Sequence, residues 1–370
     1  MFARLRCTPR RGSPTRDGWL QRRHTRQGDI GPSMASAFVT GLAGLTLDAP
    51  EAAFLRAAKP AGIILFARNI DHPEQVCRLI ADSRDAIGLD TVLVLIDQEG
   101  GRVQRLRPPH WRSLPPAADF WRASNGDVTK AAAMARLIAE LTAADLRRLG
   151  INTNCAPVLD LPVPGSHDII GNRAYGSTFE SVVPIARAVA EGYCAGGILP
   201  VIKHIPGHGR ATADSHLELP TVRTPRAELD ATDFAPFWAL SLMPAAMTAH
   251  VVFTAVDPDH PASTSRLMIE TVIRGTFGFG GLLMSDDLSM QALCGSMAER
   301  TAAVMTAGSD LALHCNGVLA EMELVAANVA SLAGPAKSRF DSAFAVTTRH
   351  QPCDEPAAEA CLAGILALSA

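Results

Sequence analysis

Aromatic residues are scarce in this chain, and long uncharged apolar runs are missing from it. Phenylalanine, tryptophan and tyrosine make up 5% of the 370 residues, which argues against stacking platforms for single-stranded nucleic acid. The net charge of −3 implies no polyelectrolyte partner, so we expect no nucleic-acid binding. Because no apolar run reaches about eighteen residues, we also expect no membrane span.

The eight cysteines form no CxxC pair and are scattered over the chain. In a chain of this length, such spacing is typical of reduced thiols in a cytosol, mostly buried as small apolar residues. We therefore expect a cytoplasmic protein. Hydrophobic residues make up 48% of the sequence, enough for a large buried core.

The two ends of the chain differ in kind from the rest. Residues 1–33 are rich in arginine and lack the apolar segment of a secretory signal, and we expect them to form a disordered extension. The sequence begins like a folded domain at Met34, and we expect this domain to cover residues 34–335. For residues 336–370 we expect a tail that packs on this domain or is partly disordered.

Eight short apolar runs alternate with amphipathic stretches between these ends. The runs lie at residues 36–42, 61–67, 91–97, 151–158, 198–204, 245–251, 281–286 and 309–314. Near-continuous apolar strands that alternate with helices indicate a parallel sheet covered on both faces. A doubly wound open sheet is the competing fold, but no GxGxxG follows the first strand. Eight units in about 300 residues favour an α/β fold with a single domain, a (β/α)8 TIM-type barrel.

Polar residues lie where the predicted strands end. Asp97 ends the third strand, Lys203 and His204 the fifth, His250 the sixth and Asp286 the seventh. Because the carboxyl ends of the strands meet at one mouth of a barrel, we expect these side chains to share a pocket.

The segment KHIPGHGRATADSHLELP, residues 203–220, concentrates three histidines in a stretch broken by glycine and proline. His204, His208 and His216 could bind zinc, but the intervening IPG prevents the helical spacing on which HExxH zinc sites depend. Asp214 could hydrogen-bond one ring nitrogen of His216 and raise the basicity of the other, which would make a proton-transfer dyad. Alternatively, Asp214 only caps a helix or forms a turn.

The segment LLMSDDLSM places two adjacent acids at the end of the seventh strand. Such a pair can form a metal site, cap a helix or supply a catalytic nucleophile. Consecutive side chains of a strand point to opposite sides, so we expect only one of the two to face the pocket. Asp286, which directly ends the strand, is our candidate, and Asp287 would cap the helix or orient the loop.

Two further segments carry residues suited to binding a sugar. DQEGGRVQRL, residues 97–106, leaves the third strand with an acid, a glycine pair and two arginines. Asp97 is suited to bind a pair of hydroxyls, and Arg105 could reach back as a bidentate clamp. Arg173 lies in the loop after the fourth strand. Each arginine alone is more often a surface residue, but such a combination at one mouth would suit a sugar derivative.

Five motifs, in this order, resemble those of the β-N-acetylglucosaminidases of glycoside hydrolase family 3: DQEGGRVQRL, NTNCAPVLDL, KHIPGHG…DSH, TAHVVFTAVDP and SDDLSM. The resemblance spans roughly residues 37–330 and implies a (β/α)8 barrel. It implies a nucleophile at Asp286 and an acid/base at His216, with Asp214 as the partner of the histidine. The sugar-binding positions that it implies are Asp97, Arg105, Arg173, Lys203 and His204.

The resemblance further implies a retaining exo-β-N-acetylglucosaminidase of peptidoglycan recycling in the bacterial cytoplasm. The expected substrate is N-acetylglucosamine linked to anhydro-N-acetylmuramic acid, with or without peptide, and we expect a monomer with no metal ion, cofactor or membrane partner. Ile205 stands where the family usually has phenylalanine, and the arginine-rich leader has no family counterpart. The alternatives are a family 3 phosphorylase, a β-glucosidase, or a sugar-binding barrel that has lost catalysis.

Overall fold

The computed structural model describes residues 34–211, 215 and 218–368, and within them eight parallel strands close into a barrel. Each strand pairs with its neighbours in the chain, and the first pairs with the eighth, Phe38 lying opposite Ala312. The predicted (β/α)8 TIM-type barrel is thereby confirmed. In chain order, the barrel strands are β1 Ser36–Gly41, β2 Pro60–Leu65, β3 Leu93–Ile96, β4 Thr153–Asn154, β5 Leu199–Ile205, β6 Ala245–Thr248, β7 Leu282–Asp287 and β8 Leu311–His314.

Helices surround the barrel, and in the described part of the chain none is long and apolar enough to cross a membrane. The α-helices are α1 Ala49–Ala58, α2 Pro73–Ile87, α3 Ala118–Ala123, α4 Val128–Arg148, α5 Phe179–Ala195, α6 Arg226–Ala231, α7 Ala235–Ala239, α8 Met297–Ala307, α9 Leu319–Ala327, α10 Gly334–Phe344 and α11 Glu355–Ala367. Short 3-10 helices lie at Ala67–Asn69, Gly171–Arg173 and Ala345–Thr348, and a π-helix at Met268–Thr276. Short strands outside the barrel are Gln98–Gly100, Val103–Gln104, Thr221–Val222, Val252–Phe253 and Asp257–Pro261.

Helix α8 shows how local sequence sets the bounds of an element. The Ser296 side chain accepts a hydrogen bond from the backbone N–H of Glu299, whose own side chain accepts from the N–H of Ser296. Such a cap stabilises a helix by about 1 kcal/mol. The helix ends at Ala307 and is capped by Gly308, whose φ of 113° lies where a side chain would be strained.

The alternation of side chains along the strands determines which polar residues point into the barrel. Every second residue of β3, β5 and β7 packs inside it, and the residues between them pack against the helices. The last apolar residues in the inward phase are Leu95, Val201 and Met284. Two positions further along come Asp97, Lys203 and Asp286, which therefore face the barrel axis at its carboxyl end.

The C-terminal segment forms two helices that pack on different parts of the molecule. Phe340 of α10 is buried in the cluster that fills the barrel interior. Leu362 and Ile365 of α11 are buried in the layer between strands and helices, and Arg112 binds Glu359 at 2.7 Å. Helix α10 packs at the amino end of the barrel, where its Arg339 binds Asp310, the residue that precedes β8.

Candidate active site

A pocket of about 400 Å³ opens at the carboxyl ends of the barrel strands. Six of the eight predicted site residues line it: Asp97, Arg105, Arg173, Lys203, His204 and Asp286. The other two, Asp214 and His216, lie outside the described residues. The pocket thus brings together side chains that are separated by up to 189 positions, because they lie at or after the carboxyl ends of four strands of one barrel.

Asp286 stands at the base of this pocket in a setting that keeps its carboxylate charged. Burial alone would raise the pKa of Asp286, but His204 and His250 nearby hold it below its usual range. One of its oxygens accepts a hydrogen bond from the backbone N–H of Asp287 at 2.8 Å. An ionised carboxylate facing a pocket is the form that a nucleophile needs.

The neighbouring acid, Asp287, also borders the pocket, so our expectation that only one of the two would face it is wrong. The regular alternation breaks here because the register of β7 against β8 shifts between Met284 and Asp287. The two acids nevertheless differ in their partners. Asp287 accepts hydrogen bonds from the backbone N–H groups of Ser289 and Cys315, both at 3.0 Å, and from the Ser289 hydroxyl. It therefore ties the loop after β7 to the end of β8.

Asp97 is held between two cations. Its oxygens lie 2.7 Å from Lys203 Nζ and 3.1 Å from an Nη of Arg105. Burial would raise the pKa of Asp97, but Lys203 and Arg105 hold it well below its usual range. Lys203 is also buried, and Asp97 and Glu99 keep its pKa well above the ordinary value. Asp97 and Lys203 are therefore both charged at neutral pH.

His204 is oriented by Asp160, a fully buried carboxylate that our sequence analysis missed. Asp160 accepts from the His204 ring at Nδ1, 2.7 Å away, and from the backbone N–H groups of His204 and His208 at 3.2 and 2.7 Å. With Nδ1 donating to Asp160, the Nε2 atom of His204 is left for the pocket. The only sequence signal was an acid soon after β4, in the motif NTNCAPVLDL.

His208 lines the pocket and contacts Ser215, which lines it too. Its Nε2 atom lies 3.0 Å from Ser215 Oγ, and the carbonyl of Ser215 accepts a longer bond from the backbone N–H of Ala292. Burial lowers the pKa of His208 to about 4, so its ring is neutral at pH 7. In sequence, Ser215 stands between Asp214 and His216, the two residues of the predicted dyad.

His250, which we expected in the shared pocket, does not border it. Its Nδ1 atom lies 2.7 Å from Ser263 Oγ, and its Nε2 atom lies 3.0 Å from the backbone carbonyl of Asp287. Both ring nitrogens are thus used within the protein, with Nε2 donating to the carbonyl. His250 supports the segment that carries the two acids. Among the described residues, no group of three or more histidine, cysteine, aspartate or glutamate side chains is placed to hold a metal ion.

We expect the protein to lose stability in two stages as the pH falls. Burial lowers the pKa values of His208 and His250, so below about pH 6.5 the unfolded chain binds protons that the folded chain does not. The pKa values of Glu99, Asp160 and Asp286 are also lowered, because nearby cations and histidines outweigh the effect of burial. Their contribution is present above about pH 4.5 and is lost below it. A melting temperature that falls from about pH 6.5, and more steeply below about pH 4.5, would agree with this; one that rises in this range would contradict it.

Comparison with known proteins identifies relatives over most of the chain. Residues 35–348 match the family profile described as "Glycosyl hydrolase family 3 N terminal domain". A β-hexosaminidase of Alkalilimnicola ehrlichii is 40% identical over 291 residues, which cover 78% of this chain and 81% of that protein. One from Methylococcus capsulatus is 38% identical over 302 residues, covering 80% and 88%. The crystal structure of NagZ from Neisseria gonorrhoeae in complex with N-trifluoroacetyl-D-glucosamine is 31% identical, with a TM-score of 0.79, and the match covers 91% of this chain and 99% of that one.

Proposed function

The chain belongs to family 3 of the glycosyl hydrolases, and on that premise we propose that it is a retaining exo-β-N-acetylglucosaminidase acting on muropeptides. The coarser activity follows from its relatives: the chain is a glycoside hydrolase, a β-N-acetylhexosaminidase. The finer proposal is removal of N-acetylglucosamine from anhydro-N-acetylmuramic acid, with or without peptide, during peptidoglycan recycling in the cytoplasm. The free thiols of all seven described cysteines agree with a reducing compartment.

The observation that carries the proposal is an ionised carboxylate at the base of a pocket closed at one end. Asp286 lies there beside Lys203 and His204, and the floor of the pocket is formed by barrel residues such as Met247 and Leu313. A volume of about 400 Å³ suits one sugar ring with room at the mouth. Because the pocket ends blindly on the barrel core, it favours the terminal residue of a chain over an internal one.

Charged groups around the pocket supply the contacts that a sugar needs. Each oxygen of Asp97 accepts one hydrogen bond, from Lys203 or from Arg105. A carboxylate has about four lone-pair positions, so each oxygen can accept a second hydrogen bond from a sugar hydroxyl. The Arg105 side chain lines the pocket and is 25% exposed, so its guanidinium group can also donate to a ligand. We propose that these two residues, with Arg173, Lys203 and His204, bind the N-acetylglucosamine unit.

In the proposed first step, Asp286 attacks the anomeric carbon while protonated His216 donates its proton to the departing oxygen. A covalent glycosyl-enzyme forms, and the aglycone leaves. Most retaining glycosidases use two carboxyl groups for these roles. We propose that a His216–Asp214 dyad replaces the second carboxyl group, since an imidazole can both donate and accept a proton near neutral pH.

In the second step, His216 removes a proton from water, which attacks the anomeric carbon and releases the sugar with retained configuration. The position of Ser215 supports this assignment. Ser215 borders the same pocket as Asp286, and both of its sequence neighbours belong to the proposed dyad. The Asp160–His208 and His208–Ser215 contacts connect Ser215, in the loop after β5, to the segment that follows β4.

A phosphorylase is the principal alternative, because a histidine acid/base does not repel an incoming phosphate as a carboxylate would. We expect hydrolysis of the N-acetylglucosamine–anhydro-N-acetylmuramic acid disaccharide at the same rate with and without phosphate, with free N-acetylglucosamine as the product. The products would be identified by chromatography and mass spectrometry. The β-glucosidase alternative is tested with a matched pair of aryl substrates. The aryl β-glucoside should turn over far more slowly than the aryl β-N-acetylglucosaminide. Accumulation of N-acetylglucosamine 1-phosphate would overturn hydrolysis.

A further inference from the structure

Glu99 lies behind the pocket and contacts two of the cations that line it. The residue belongs to the short strand Gln98–Gly100, immediately after β3, and its side chain is 7% exposed. One of its oxygens lies 2.8 Å from an Nη of Arg173 and 2.7 Å from Lys203 Nζ, and the other lies 2.9 Å from Arg173 Nε. Glu99 itself does not border the pocket, whereas both partners do. It therefore acts on any ligand only through them.

Some N–H donors of Lys203 and Arg173 bind other groups of the protein, and the rest are available to a ligand in the pocket. The ammonium group of Lys203 has three N–H donors; it donates a hydrogen bond to Asp97 and forms an ion pair with Glu99, both at 2.7 Å. The guanidinium group of Arg173 has five, of which Glu99 takes two and the carbonyl of Ile169 takes one at 3.1 Å. Two donors of Arg173 and the remaining donors of Lys203 are left for the pocket; the bidentate contact with Glu99 fixes the direction of the guanidinium group, and the ion pair with Glu99 helps to hold the ammonium group.

Glu99 also offsets part of the positive charge of the buried network. Lys203, Arg105 and Arg173 carry three positive charges, and Asp97 and Glu99 carry two negative ones within the same buried network. Burial would raise the pKa of Glu99, but Lys203 and Arg173 lower it to about 2, so it is ionised at all working pH values. Without Glu99, Arg173 would lose the only carboxylate with which it forms an ion pair among the described residues.

We propose that Glu99 is a positioning residue for sugar recognition: it holds Lys203 and Arg173 with their remaining donors directed at the hydroxyl and carbonyl oxygens of the bound sugar. The inference rests on the proposed function, because it takes these two cations to bind the substrate. It assigns a role to a residue that neither touches the sugar nor takes part in the proposed chemistry.

The first test is Glu99→Gln, which keeps the size of the side chain and removes its charge. We expect kcat/KM for an aryl β-N-acetylglucosaminide to fall by up to about 100-fold, since displacing a positioning group by an ångström can cost that much. The loss should lie mainly in KM, and the dissociation constant of N-acetylglucosamine, measured by calorimetry, should rise in parallel. An unchanged KM and dissociation constant would overturn the proposal.

The matched control is Asp310→Asn, which removes another buried carboxylate held between two arginines. Asp310 is 2% exposed, binds Arg274 and Arg339, and directly precedes β8, so it lies at the amino end of the barrel, opposite the pocket. This variant should lower the melting temperature and leave KM unchanged. If it raises KM as much as Glu99→Gln does, the effect of Glu99 is general destabilisation and the proposal is wrong.

A double-mutant cycle separates positioning from a structural role. In an Arg173→Met background, Glu99→Gln should cost less in kcat/KM than it does alone, because one of the two groups through which it acts is gone and only Lys203 is left. Equal losses in both backgrounds would overturn the proposal. If Glu99→Gln does not fold, the same cycle is run with Glu99→Asp, which keeps the charge but is too short to bind both cations; a wild-type KM in that variant would also overturn it.

Single variants of the cations distinguish this inference from the proposed function. If Lys203→Met and Arg173→Met both leave the dissociation constant of N-acetylglucosamine unchanged, the proposed sugar site is wrong, and the role of Glu99 with it. If both weaken binding but Glu99→Gln does not, only the positioning role is overturned. Weakened binding in all three variants, with the cycle non-additive, supports both.

Discussion

Replacing Asp286 by alanine is expected to abolish turnover while the protein stays folded. The proposed mechanism forms a covalent bond to this carboxylate, and loss of a nucleophile costs on the order of 10⁴-fold or more in kcat. Any loss of stability should be small beside the loss of turnover, because the side chain faces the pocket and, among the described residues, it accepts only one hydrogen bond, from the backbone N–H of Asp287. Turnover of an aryl β-N-acetylglucosaminide and the melting temperature would be measured together.

The control for this variant is Asp287→Ala, which removes the adjacent acid. Asp287 holds Ser289 and Cys315, so its loss should reduce both stability and kcat, but by less than the loss of the nucleophile. Added azide provides a second criterion. In Asp286→Ala the anion can enter the space left by the carboxylate and attack from the α face, which yields an α-glycosyl azide. If Asp287→Ala abolishes turnover and Asp286→Ala retains it, the nucleophile has been assigned to the wrong acid.

The barrel and the acids at its mouth could be predicted because both depend on short-range patterns. Eight apolar runs of strand length alternate with amphipathic stretches, and few folds accommodate that order. Within each strand, side chains point alternately into the barrel and towards the helices, and Asp97, Lys203 and Asp286 fall on the inward-pointing positions. Their placement in one pocket then follows from the fold, although they are far apart in the sequence.

The residues that support the site could not be predicted, because their roles depend on partners distant in sequence. Glu99 binds Arg173 across 74 positions, and Asp160 binds His204 across 44. Neither carboxylate differs in its local sequence from a surface acid, and burial beside a cation becomes evident only in three dimensions. His250 shows the converse: it follows a strand as expected, yet its ring is turned to Ser263 and away from the pocket.

Replacing His216 by alanine should affect substrates differently according to their leaving group. A sugar leaving group must be protonated as it departs, so its cleavage should slow on the order of 10²–10⁴-fold. An aryl leaving group of low pKa departs without a proton, and its bond cleavage should be nearly unaffected. The general base is also lost, so water should release the glycosyl-enzyme slowly. Stopped-flow measurement with such an aryl substrate should therefore show a burst of aryl alcohol followed by a slow steady state.

Azide should rescue this variant by a route that differs from the rescue of Asp286→Ala. A small anion needs no base to attack the glycosyl-enzyme, and it approaches from the β face because Asp286 occupies the α face. The product should therefore be a β-glycosyl azide, which separates the acid/base from the nucleophile by stereochemistry alone. Asp214→Ala should show the same pattern more weakly, since the aspartate only orients and polarises the histidine. Equal losses for sugar and aryl leaving groups, without a burst and without rescue, would make His216 a binding residue and leave the acid/base to another group.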